Sequence, residues 1–265
     1  MVRSFFSKIL NNTSVKYKYR VTFNPPFPFV AIQKSIIRQK MHHEWAGGCL
    51  TSTYHDNYAA KRNKLADYAF NGRFDKALEC IEESSIVNGW RLRSPEDTRP
   101  ASGWTTLHQA AMLSSSTISH IERLISLGAY RNIRTMDTKE NAYEIAKKNH
   151  RSREILDALK PHYERQLDEQ TIKNLQKGLE EVIMSRVASI IEEKKFQIPT
   201  VEVLLELPGL SLWCPIPGFY GGFHIKLRED NRIETESSCR VAGGSGQTHV
   251  IQPDGTWKIT ASGLY

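Results

Sequence analysis

The chain has 265 residues, 40% of them hydrophobic, enough for a real core in one large domain or two of ordinary size. No apolar run approaches the roughly 18 residues of a membrane span, so no membrane partner is expected. The net charge of +7 is unevenly placed: residues 1–60 hold eight Lys/Arg against Glu44 and Asp56, while residues 61–265 hold 28 basic and 27 acidic side chains. A nucleic-acid binder neutralises several phosphates with cations across its folded surface, and the near-neutral remainder argues against such a partner.

Residues 1–60 read as a basic, poorly ordered leader. The absence of acids before Glu44 and the mixture of Arg, Lys, Ser, Thr and Asn with aromatics are features of organelle transit peptides. Against that, Phe23-Asn24-Pro25-Pro26-Phe27-Pro28 breaks any long amphipathic helix, because each Pro lacks an amide donor and clashes with the preceding turn. A disordered tail, or sequence upstream of a start at Met41, is the favoured reading. Residues 1–30 lack the uninterrupted apolar core of a secretory signal.

Cys49, Cys80, Cys214 and Cys239 are too far apart for a zinc knuckle and too few for a disulfide framework. Reduced thiols in a cytoplasmic setting are expected, with no metal or cofactor. His42, His43 and His55 make a poor metal set, since adjacent histidines in a regular element point apart.

Three helix pairs follow over residues 61–161. In the first, Leu65, Ala66 and Ala69 mark one helix, Asn71-Gly72 turns the chain, and Phe74, Ala77, Leu78 and Ile81 recur at helical spacing. The second pairs Leu107, Ala110 and Ala111 with Ile118, Ile121, Leu124 and Ile125, ending at Gly128, where a left-handed residue caps a helix. Ala142, Tyr143, Ile145 and Ala146 with Ile155, Leu156 and Leu159 form the third. Residues 84–102 between the first two pairs are polar, long and Pro-bearing.

Gly103-Trp104-Thr105-Thr106-Leu107-His108-Gln109-Ala110-Ala111 resembles the G-x-T-P-L-H-x-A-A opening of an ankyrin repeat, and Leu124 to Asn132 resembles its L-L-x-x-G-A-x-x-N ending. Tyr143 and Ala146 stand 36 residues after Leu107 and Ala110, near the 33-residue period of that family. The resemblance implies a stack in which each pair buries its apolar face on a neighbour, with Thr105 and His108 as a structural tie. It also implies partner contacts from the inter-repeat loops and first helices, here Trp104, Tyr130, Arg131, Arg134 and Met136, with packing between repeats an equal alternative for Trp104. Thr106 stands where the family has Pro.

Residues 162–198 read as a long amphipathic helix, with Ile172, Leu175, Leu179, Val182, Ile183, Val187, Ile190 and Ile191 on one stripe. Arg186 interrupts a coiled-coil register, which favours packing against the repeats or the C-terminal module. Residues 199–265 combine a short helix at 201–207 with Gly-rich, period-two segments that predict an antiparallel β-meander of four strands. The predicted class is therefore α+β: a short ankyrin-type helical stack, a long connecting helix and a C-terminal antiparallel β-meander.

The segments around Trp213 to Phe223 and Ser238 to Gln247 resemble a Gly-rich module behind ankyrin repeats in uncharacterised bacterial proteins, which implies no activity. Gly243-Gly244-Ser245-Gly246 suits a hairpin turn better than a phosphate cradle, because a strand follows instead of a helix. Cys239 with His249 and Asp230 or Asp254 has the residue types of a nucleophile set, but Cys239 shares a strand face with Val241 and reads as a small core residue. Tyr220, Arg240, Gln247 and His249 are the candidate ligand-binding residues. A protein-interaction scaffold is the expected function; the alternative is an effector whose C-terminal module is catalytic and whose repeats select the target.

Overall fold

A computed structural model of the chain describes residues 43–239 and 244–264. The fold is α+β: paired short helices, one long helix and a five-stranded antiparallel meander. Asp56–Phe70 (α1) and Phe74–Ser84 (α2) form the first pair, Thr106–Met112 (α3) and Ile118–Ser126 (α4) the second, and Ala142–Lys148 (α5) and Arg153–Leu159 (α6) the third. Helices α1, α3 and α5 stack in one row and α2, α4 and α6 in another. Their facing stripes are small or aliphatic: Ala69, Ala77, Ala110, Ala111 and Ala146 are buried, which lets successive helices approach closely.

The linker between the first two pairs is better ordered than its polarity suggests. Ile86, Val87, Trp90 and Leu92 are buried. Two asparagines supply the hydrogen bonds that a neighbouring strand would otherwise give: Asn63 receives Leu92 N–H at 2.7 Å and donates to its carbonyl at 3.2 Å. Asn88 likewise receives Tyr130 N–H at 2.9 Å and donates to Gly128 O at 2.9 Å. Arg151, just beyond α5, donates to Ala110 O at 3.0 Å, Ser116 O at 2.8 Å and the Leu113 carbonyl, so a cation satisfies the free carbonyls at the end of α3.

Glu169–Lys194 (α7) is the long helix, with a kink at Val187 (φ −142°, ψ 25°), and Val201–Glu206 (α8) follows. Gly178 lets α7 close on the sheet, because a Cβ there would come within 2.4 Å of Ile251. The strands Ser211–Ile216 (β1), Gly221–Leu227 (β2), Ile233–Cys239 (β3), Ser245–Ile251 (β4) and Trp257–Leu264 (β5) pair in chain order. β1 is the strand missed in the sequence, since Pro215 demotes a strand that turns out to lie at the edge of the meander. One sheet face (Leu212, Cys214, Phe223, Ile225, Ile233, Ile251) joins Leu175, Leu179, Val182 and Ile183 of α7 and Leu204 and Leu205 of α8 in a second core.

Residues 1–42, and with them Met41 and the transit-peptide features, lie outside the described residues. Residues 43–60, assigned by composition to the leader, are built into the fold. Trp45 N–H donates to Trp213 O at 2.8 Å and Trp213 N–H to His43 O at 2.8 Å, so this segment runs along the edge of β1. Further on, Gln197 N–H donates to Gly47 O, and Cys49 and Thr51 pair with Arg93. Residues 43–51 are thus a strap from the sheet to the 85–104 linker, with Trp45 and Cys49 buried. No described helix is long and apolar enough to cross a membrane.

Candidate functional site

The tie predicted at the start of α3 is present. Thr105 N–H donates to His108 Nδ1 at 3.1 Å, and His108 Nε2 lies 2.9 Å from the Ile133 carbonyl. Since Nδ1 accepts, the imidazole carries its proton on Nε2 and donates it to the following loop. Asn141 and Glu144 repeat the device 36 residues later, each receiving the other's backbone N–H at 2.9 Å. Burial pushes the His108 imidazole down to about 4. A depressed value means that the contribution is complete above the unfolded value of about 6.5 and is lost as pH falls through the folded one. Unfolding titrations from pH 7 to 4 should therefore show the advantage of wild type over His108→Gln shrinking by about 3 kcal/mol. A constant difference across that range would contradict this role.

The rows of helices leave a cleft of about 330 Å3 between α1, α3 and the linker. Phe70, 63% exposed at the last position of α1, and Trp104 lie among its lining residues with Met112, Arg91 and Arg93. Trp104 also serves packing, its Nε1 donating to the Asp137 carboxylate at 3.1 Å. Phe70 escaped the sequence reading because it precedes the Asn71-Gly72 turn; its place off the Leu65, Ala66, Ala69 stripe is the signal that marks it.

The other four residues expected at a partner surface lie elsewhere. Tyr130 is buried, with its hydroxyl 3.3 Å from His43 Nδ1, and burial raises its pKa. Arg131 pairs with Glu206 and donates to Ala158 O at 3.0 Å. Arg134 makes a two-pronged contact with Glu202, Nε at 2.9 Å and Nη2 at 3.1 Å, and a further bond to Glu144. Met136 is half-buried behind Gly103 and near Cys49. These side chains are engaged at the junction with α8 and the strap, and none of the four lines the cleft that holds Phe70 and Trp104.

In the C-terminal module, Tyr220 sits in the β1–β2 turn, 72% exposed, and lines a second cleft that neither Gln247 nor His249 enters. Gln247 is half-buried on β4 opposite Ser237; His249 is fully buried opposite Thr235 and packs edge-on to Trp257. Arg240 and Gly243 lie outside the described residues, while Ser245 and Gly246 of the predicted glycine turn belong to β4. The Cys239 nucleophile set does not assemble: its thiol donates to Phe219 O at 3.0 Å, Asp230 binds Arg232, and Asp254 holds Thr256. Among the described residues neither His249 ring nitrogen has a partner, and burial, with Arg186 beside it, lowers the imidazole pKa. Among the described residues no group of His, Cys, Asp and Glu is arranged to hold a metal ion.

Thr235 is also fully buried, and its hydroxyl has no partner among the described residues. The isostere Thr235→Val is expected to stabilise the fold by about 1 kcal/mol, read by thermal unfolding. Destabilisation would show instead that the hydroxyl is bonded.

Comparison with family models, curated proteins and solved structures gives no match.

Proposed function

We propose that the chain is an ankyrin-type protein-interaction scaffold whose partner is held in the Phe70–Trp104 cleft. The observation that carries this is Phe70: a large aromatic side chain left exposed beside a Trp, a Met and two arginines, the residue types enriched where proteins meet. Two rows of paired helices, the Thr105–His108 tie and its recurrence at Asn141–Glu144 support the ankyrin reading. The cleft lies along the first helices and the linker, where the resemblance implies contacts. The four free cysteines fit a reducing cytoplasm. The proposed partner is a protein, not a nucleic acid or a membrane.

A catalytic C-terminal module has less support, because the candidate nucleophile and base are not in contact and the candidate ligand residues do not share a cleft. Affinity capture with the full chain separates the two readings. Wild type should retain a specific protein that Phe70→Glu with Trp104→Glu loses at least about tenfold, and Phe70→Glu alone, at the 63% exposed position, should weaken that capture with unchanged thermal stability. Equal retention by the double variant would overturn the assignment of the cleft.

A further inference from the structure

A second cleft, of about 620 Å3, shares no lining residue with the first. It lies between the strap, the start of α1 and the β1–β2 turn, and flat rings dominate its walls. Tyr54 and Tyr58 hold their ring centroids 4.8 Å apart with a 36° tilt, and Tyr220 joins them with Pro215 and Pro217 of the β1–β2 hairpin. Tyr220 has φ +53°, a region in which a bulky side chain is strained, yet its ring remains 72% exposed. Among the described residues no packing offsets that strain, so the exposed ring is the feature to be explained.

The charge of the lining narrows the occupant. Among the described residues Glu44 is its one carboxylate and none of the lining is Lys or Arg, so a phosphate-bearing ligand finds no ammonium or guanidinium there. Arg62 sits behind Tyr54, 5.5 Å from the ring centroid, and occupies one face of that ring. The cationic end of a ligand therefore belongs at Glu44, with uncharged rings on the tyrosines. An extended polyproline segment meets these requirements: it is already ordered before binding, has no internal hydrogen bonds to break, and presents flat pyrrolidine rings to aromatic grooves.

We propose that this cleft binds a proline-rich segment of a partner protein in the polyproline conformation, with an arginine of that segment against Glu44. This goes beyond the scaffold reading and does not depend on the Phe70 cleft.

The test is calorimetric titration of the full chain with acetyl-Arg-Pro-Ala-Pro-Pro-Ala-Pro-amide, and with versions carrying Ser for every Pro or Glu for Arg. Saturable binding is expected, weakened about tenfold by the serines and about threefold by the charge change. Glu44→Lys should reverse the preference between the Arg and Glu peptides. Tyr220→Gly, which suits a positive φ, should keep or raise the melting temperature while weakening binding about tenfold. No saturation at millimolar peptide, indifference to the prolines, or indifference to Glu44→Lys would overturn the proposal. So would a single-stranded oligonucleotide that binds in place of the peptide and is lost in the same variants.

Discussion

Replacing Arg62 with Ala is expected to destabilise the protein by about 4 kcal/mol, a fall of about 10 °C in melting temperature for a body of this size. Arg62 is fully buried on α1. Its Nε donates to Trp90 O at 2.7 Å and its Nη1 to the Tyr54 hydroxyl at 3.2 Å. The guanidinium carbon lies 5.0 Å from the Trp90 ring and 5.5 Å from the Tyr54 ring, so two aromatic faces sandwich the charge. Tyr54 in turn receives Gly48 N–H at 3.0 Å. One side chain thereby joins a helix, the linker and the strap. Ala leaves a large void and strips the Trp90 carbonyl of its donor. Met fills the void without a buried charge, so Arg62→Met should lose only about 2 kcal/mol. Lys cannot stack as a plane and should fall between them. Urea unfolding of the three variants gives the order; a Lys variant equal to wild type would mean that the sandwich contributes nothing.

Glu206→Ala is expected to lose about 3 kcal/mol, through the junction of α8 with the loop after α4. The Glu206 carboxylate is buried and receives the backbone N–H groups of Arg131 and Asn132, each at 3.0 Å, with Arg131 Nη1 at 3.3 Å. Deletion leaves two amides and a guanidinium without their acceptor. Burial nevertheless raises the carboxyl pKa, outweighing the attraction of those donors. The sign is therefore opposite to that of His108: the contribution is complete below the unfolded value and declines as pH rises through the folded one. Because the loss comes from broken partners, removing both sides should not double it. Arg131→Ala combined with Glu206→Ala is expected within about 1 kcal/mol of the single Glu206 variant by chemical denaturation. Full additivity would show that the two residues act independently.

These two residues also mark where sequence reading succeeded and where it stopped. The helix pairs were legible because their apolar positions recur at helical spacing and because Thr105-x-x-His108 is a local signal. The class of the C-terminal sheet was legible from its alternation. The strap was not: Ala46-Gly47-Gly48-Cys49 has no periodicity, and its partners Arg93, Gln197 and Trp213 lie far along the chain. Arg131 and Arg134 have the chemistry of an interface, and their pairing with the distant Glu206 and Glu202 has no local signal in the sequence. His249 and Gln247 are two residues apart on one strand, yet Tyr220 lines a cleft that neither of them enters.

Site-specific photo-crosslinking tests the central claim, that a protein partner is held on the first-helix face. With benzoylphenylalanine at Phe70, at Trp104 and at Ser119 on the outer helix α4, one protein should crosslink at the first two positions and not at the third. Equal capture at all three, or capture at Ser119 alone, would contradict it.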